Sequence, residues 1–252
     1  MALNITRYQA VVEYDGTAFA GFQRQATERT VQGEIENGLR KIGWDGDTIY
    51  GAGRTDAGVH ATGQVIAFDM AWAHGTGDLW RALNTNLPLD VAVKSILPCA
   101  QDFHPRYHAR ARRYRYTINN VQVRSPMNAR YAWHVWPPVL NLSAMQAAAE
   151  AIVGRQDFAT FGTDPDNGNN TVRNVLRAEW SAPLSTGILY FDIQADAFLY
   201  HMVRSLVGAL KHVGSGELSA GDFDDLLKSR NRSHCPPLAP PHGLCLTDVL
   251  YH

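Results

Sequence analysis

The chain is short of cysteine, of long apolar runs and of net charge. Cys99, Cys235 and Cys245 are its only cysteines, at spacings that match neither a metal-binding pattern nor a disulfide framework. Thiols of that kind point to a reducing compartment, the cytoplasm. No uninterrupted apolar stretch reaches the roughly 20 residues that cross a bilayer, so no membrane partner is expected. The first residues lack a basic segment followed by an apolar run, which predicts no secretion signal. Net charge is -1, from 23 basic and 24 acidic residues. As a property of the whole chain, that balance argues against a nucleic-acid binder. A metal-ligand cluster and a nucleotide-binding glycine fingerprint are also missing, which predicts neither metal nor cofactor.

One local absence reverses the charge argument. From Phe103 to Ala149 there is no Asp or Glu, yet the window holds Arg106, Arg110, Arg112, Arg113, Arg115, Arg124 and Arg130. Tyr107, Tyr114, Tyr116, Tyr131 and Trp133 are interleaved with them. Arginines contact phosphates and aromatic faces accept unstacked bases, so the window reads as an RNA footprint with Arg110 and Arg112 as candidate contacts. The plainer alternative is a solvated basic strand. Acids gather elsewhere, at Glu217, Asp222, Asp224 and Asp225.

The 252 residues, 45% hydrophobic, suffice for one large domain or two ordinary ones. Alternation predicts strands at 8–14, 48–52, 64–69 and 91–97. Thr30 is placed to cap a helix whose Val31, Ile35, Leu39 and Ile42 share a face, and 78–84 reads as a second helix. The order is βαββαβ, the split βαβ of ferredoxin-like folds. A similar order follows. Strands are predicted at 112–118, 130–136, 172–180, 188–194 and 244–251. Ser143 with Gln146 reads as a capping box for a helix through Val153. Leu199, Met202, Val203, Leu206, Val207, Leu210 and Val213 mark a long amphipathic helix, and 223–228 a short one. The expectation is an α+β protein of two ferredoxin-like halves with mainly antiparallel sheets, 1–104 and 105–252. Residues 162–170 are the best candidate for a mobile loop.

The most informative string is Gly53-Arg54-Thr55-Asp56-Ala57-Gly58-Val59-His60-Ala61, which links two strands. It sets one carboxylate among an arginine, a threonine and two glycines, and loops on a rigid sheet often carry catalytic groups. Read locally, Asp56 either caps its own turn or does chemistry.

The whole string resembles the signature of the TruA family of tRNA pseudouridine synthases. The resemblance continues at Tyr14–Gln23, at Leu83-Asn84 with Leu87-Pro88 and Asp90–Val93, and at Phe103–Arg106 leading to Ala111–Tyr116. It extends to Ala197–Leu199 with Met202–Arg204 and Val207-Gly208, and to Pro240–Leu244. Phe22 stands where the family pattern would have Trp, and Asp196 where it would have Asn. The resemblance implies a pseudouridine synthase fold with the active-site cleft between the halves. It further implies isomerisation of uridine to pseudouridine at positions 38, 39 and 40 of the tRNA anticodon stem-loop. The partner would be the anticodon arm, and the enzyme a homodimer that uses no cofactor.

In that reading Asp56 is the catalytic carboxylate, Arg204 its paired basic residue, and Tyr114 the active-site tyrosine, either a stacking platform for the uracil or also a relay for its C5 proton. Leu244 walls the uracil pocket, and Arg54 meets RNA phosphate or a flipped nucleotide. From periodicity alone Arg204 reads as solvent-facing, Tyr114 and Leu244 as strand core, and Tyr116 as a competitor for the role of Tyr114. His60 reads as a hydrogen-bonding or RNA-contacting residue. Two rivals are a non-catalytic RNA-binding protein of two RRM-like modules, and a metal-dependent hydrolase built on Asp56, His60 and His104.

Overall fold

The computed structural model describes residues 4–165, 170–183 and 186–251. They form two compact units, drawn from Met1–Arg110 with Leu246–His252, and from Ala111–Cys245.

The first unit follows the predicted order: β1 (Ile5–Tyr14), α1 (Val31–Lys41), β2 (Tyr50–Gly51), β3 (His60–Ala71), α2 (Thr76–Asn86) and β4 (Val91–Pro98). β1 lies between β3 and β4 and is antiparallel to both, with Tyr8 opposite Phe68 on one side and Pro98 on the other. β2 is antiparallel to β3. This is the split βαβ arrangement, with alternate residues Tyr8, Ala10, Val12 and Tyr14 buried. The predicted strand at 48–52 contracts to two residues. Around it the main-chain amide of Ile49 and the side chain of Gln32 both donate to Glu36, a fully buried carboxylate that also pairs with Arg24. Thr30 caps α1 by accepting the Gly33 amide, as the sequence predicts. Asn84 of α2 donates to the Val93 carbonyl and accepts the Val93 amide, which ties the helix to β4.

The second unit contains β5 (Ala111–Asn119), β6 (Trp133–His134), α3 (Leu142–Glu150), β7 (Gly154–Asp157), β8 (Val172–Ser181), β9 (Ile188–Ala195), α4 (Met202–Gly214) and α5 (Ala220–Ser229). The sheet order is β5-β9-β8-β7, antiparallel throughout, with β6 parallel on β5. β10 (Leu244–Leu250) begins at the end of this unit and continues into the first, where it runs beside β3.

Three details differ from the sequence reading. The strand expected at 130–136 is only β6, and β7 was not anticipated. The cap of α3 is Asn141, whose side chain accepts the Ala144 amide; Ser143 is exposed inside the helix. Gln146 does not reach back to a cap, because its carbonyl oxygen accepts the Trp180 amide at 2.7 Å. The complete capping box belongs instead to α5, between Ser219 and Asp222. Of the loop expected to be mobile, 166–169 lie outside the described residues, while Thr163 bridges to Tyr200 and Asp164 accepts the Asn170 amide.

The cap assignment is testable. Asn141→Ala is expected to lower stability by about 1 kcal/mol. Ser143→Ala should stay within about 0.5 kcal/mol of the parent. Urea midpoints at constant m decide between the two caps.

Candidate active site

Asp56 sits in the eight-residue connection 52–59 between β2 and β3, which has no regular structure of its own. Its shape is imposed from outside. The Thr55 carbonyl accepts the Phe22 amide at 3.1 Å, and the Gly58 amide donates to the Phe19 carbonyl at 3.3 Å. Asp56 is therefore held on both sides by main-chain bonds to the segment after β1. Gly21 lies between those bonds with φ +103°, and a Cβ there would stand 2.8 Å from the Thr55 oxygen. Only glycine fits that approach. The Thr55 hydroxyl is 2.8 Å from the Tyr14 hydroxyl, and Gln64 donates to the Gly53 carbonyl at 2.8 Å.

The segment after β1 is itself anchored. Arg29 lies 4.2 Å over the Phe19 ring while its guanidinium makes a bidentate pair with Asp90 and a third bond to Glu34. Those hydrogen bonds, led by Asp90, push the Arg29 pKa up, so this cation is permanent. The Asp15 amide donates to the Asp90 carbonyl. The opening string, the Asp90 string and the Asp56 string thus form one bonded system. His60 belongs to it: it is buried, its Nδ1 accepts the Gly16 amide at 3.0 Å and lies 3.2 Å from Asp15. Arg54 is exposed. Phe22, in place of the expected Trp, is buried against Tyr14 with ring centroids 6.3 Å apart.

The other candidates lie in the second unit. Tyr114 and Tyr116 share the buried face of β5, opposite Ile193 and Phe191. Their roles separate. The Tyr116 hydroxyl donates to the Pro240 carbonyl at 2.8 Å, its ring meets Trp133 edge-on, and burial pushes its pKa up. That hydroxyl is committed to the fold. Tyr114 meets Phe198 edge-on at 5.1 Å, on the turn that follows β9. The Asp196 carboxylate shapes this turn by accepting the Asn174 and Ala197 amides at 3.0 and 2.6 Å. An Asn oxygen could accept both bonds, so Asp in place of Asn keeps the geometry and adds an exposed charge.

Arg204, on the first turn of α4, is not solvent-facing as periodicity predicts. Its Nε donates to the Ala239 carbonyl at 2.9 Å, and the Ala239 amide returns a bond to the Arg204 carbonyl at 3.1 Å. One turn on, a Cβ on Gly208 would fall 2.3 Å from the Pro237 carbonyl. This face of α4 reads as polar because main chain, not side chain, covers it. The same segment leads through Pro240 to Leu244, which is buried at the start of β10.

The basic window is only partly available to a ligand. Arg115 makes a bidentate pair with Asp192, Arg113 bonds Gln194, and Arg112 donates to the Asp196 carbonyl. Arg110, Arg124 and Arg130 are exposed. Among the described residues, no group of three or more His, Cys, Asp or Glu is placed to hold a metal ion, and no helix is long and apolar enough to cross a membrane.

Comparison with known proteins places these strings in context. The family model described as tRNA pseudouridine synthase matches residues 10–108 and 148–252. The chain is 42% identical over 248 residues to tRNA pseudouridine synthase A of Streptococcus equi subsp. equi, covering 98% of this chain and 99% of that protein. Identity to the protein of the same name from S. equi subsp. zooepidemicus is also 42%, over the same shares of both chains. For the Streptococcus pyogenes serotype M1 protein it is 40% over 249 residues, again 98% and 99%.

The packing of Gly21 against the Asp56 loop predicts a difference between two glycines. Gly43 has φ +93° with no atom within 4 Å of a built Cβ. Gly43→Ala should therefore cost only the backbone strain, about 1–2 kcal/mol. Gly21→Ala should cost a further 1–3 kcal/mol or so, because the loop must move. Equal losses in chemical denaturation would mean that this contact does not hold the loop.

Proposed function

This chain belongs to the tRNA pseudouridine synthase family, and from that premise we infer that it isomerises uridine to pseudouridine in tRNA with Asp56 as the reacting carboxylate. The observation that carries the assignment of Asp56 is its place in a loop pinned through Thr55 and Gly58 to the Phe19–Phe22 segment. A carboxylate held by its neighbours' main chain loses little freedom when substrate arrives, which is what a reacting group needs.

The reaction breaks the bond from ribose C1′ to uracil N1, turns the base, and joins C1′ to C5. The C5 proton leaves and N1 gains one, so no redox partner or group donor is consumed. The Asp56 anion serves either by attack on C1′ or by taking the 2′ proton to give a glycal. Arg204, with its Nε bonded to Ala239, supplies a positioned cation to the same reaction. Tyr114 offers its ring to the uracil, and its hydroxyl is the candidate relay for the C5 proton. Leu244 gives the base an apolar wall. Arg54, exposed next to Asp56, meets phosphate or the extruded nucleotide.

A uridine inside a stem must be flipped out before any such pocket can take it, at a cost of about a few kcal/mol. Carried over from the family it resembles, the target is positions 38, 39 and 40 of the anticodon arm and the working unit a homodimer, with one subunit reacting while the other holds the tRNA body. It works in the cytoplasm, in keeping with Cys99, Cys235 and Cys245, whose spacings match no disulfide framework.

Incubation of the protein with uridine-labelled unmodified tRNA in EDTA tests the reading; pseudouridine at those positions is the expected product. Asp56→Asn should abolish product while tRNA affinity stays within about tenfold, or 1.4 kcal/mol. Substantial turnover by that variant would remove Asp56 from the chemistry. Arg204→Ala should hurt the saturating rate more than affinity. For Tyr114, tritium release from C5-labelled uridine separates two roles. A proton relay makes Tyr114→Phe slow by about 10²–10⁴-fold. A stacking role alone leaves Tyr114→Phe near the parent rate and makes Tyr114→Ala severe.

A further inference from the structure

The first unit carries a row of aromatic and cationic groups that the reaction at Asp56 does not use. The Tyr50 ring of β2 lies 5.2 Å from the His104 ring, and His104 lies 4.3 Å from the Tyr107 ring, tilted by 34°. Arg7 caps one end at 5.6 Å from Tyr50, and Arg106 stands 5.7 Å from Tyr107 at the other. We propose that this ladder is a stacking platform for an unpaired base of the RNA substrate, with Arg106 and Arg110 meeting the adjoining phosphates. The proposal rests on the reading that the chain acts on tRNA, and adds a contact separate from the reacting residues.

Three observations carry it. The outer ring is open: Tyr107 is 73% exposed and Tyr50 38%, although both are large amphipathic side chains. The ladder is also set in advance. Nδ1 of His104 accepts the Arg106 amide at 3.2 Å, and Arg7 is fixed by a bidentate pair with Asp69 and a bond to the Phe103 carbonyl. A base that stacks there orders little that is not already ordered. Burial, with His108, Arg7 and Arg106 close by, lowers the pKa of His104, so its ring presents an uncharged face.

Charge and reach agree. Asp69 neutralises Arg7, Arg106 stands over Tyr107, Arg110 is exposed four residues on, and Asp102 is the single acid between Cys99 and Arg110. Tyr50 precedes Asp56 by six residues, at most about 20 Å of chain. That is on the order of six base-pair steps of a duplex. Bases inside a stem present edges, not faces, so the platform selects an unpaired nucleotide near the target uridine.

The test compares wild type with Tyr107→Ala, Tyr107→Phe and Arg106→Ala. The readouts are filter binding of unmodified tRNA across salt concentrations, single-turnover pseudouridine formation at saturating enzyme, and sedimentation. Tyr107→Ala should weaken binding about 5- to 150-fold, the range for loss of one base–aromatic stack, with an unchanged salt slope. Tyr107→Phe should bind within about twofold, and the saturating rate should persist in both. Arg106→Ala should reduce the salt slope by about one. Wild-type affinity in Tyr107→Ala, with wild type still forming pseudouridine, overturns the platform and leaves the function standing. A changed sedimentation coefficient with intact affinity also overturns it, because the ladder is then a contact with a second copy of the chain. Absence of pseudouridine from the wild-type reaction removes the functional reading itself, and the platform with it.

Discussion

Main-chain hydrogen bonding between the Phe19–Phe22 segment and the Asp56 loop is the constraint on which the first unit's site depends. The loop has no helix or strand of its own. Two main-chain bonds, the absence of a side chain at Gly21, and side-chain bonds from Tyr14 and Gln64 hold it. The support then spreads outward, from Phe19 to Arg29, from Arg29 to Asp90 and Glu34, and from Asp90 back to Asp15. The pairs of Asp90 with Arg29 and with Asp15 join residues far apart in the chain. The opening string, the Asp90 string and the Asp56 string are therefore pieces of one support.

Much of the architecture was legible in the sequence because it rests on period and capping. Alternation locates β1, β5, β8 and β9, and Thr30 caps α1 as its position suggests. The cap of α3 was not legible. Ser143 and Gln146 have the spacing of a capping box, but Asn141 sits two residues earlier and Gln146 is taken by Trp180. Local pattern cannot show a competing partner 34 residues away.

The candidate residues divide along the same line. That Tyr114 lies on the buried face of a strand follows from alternation, and the commitment of Tyr116 to Pro240 had no local sign. Arg204 was misjudged from periodicity because its partner is a carbonyl, which leaves no mark in residue type. The bonds on either side of Asp56 to the Phe19–Phe22 segment are main chain, and Gly21 is a position where a residue type betrays them.

The course of β10 sets an order of assembly. Leu246–Leu250 belong to the first unit yet follow the whole of Ala111–Cys245 along the chain. On a ribosome, β1 to β4 emerge early and wait for the strand beside β3, on the order of ten seconds at ordinary synthesis rates. During that interval one edge of β3 lacks its β10 neighbour, and exposed strand edges invite pairing with other chains. The nascent first unit therefore keeps one strand edge open until β10 itself has been made.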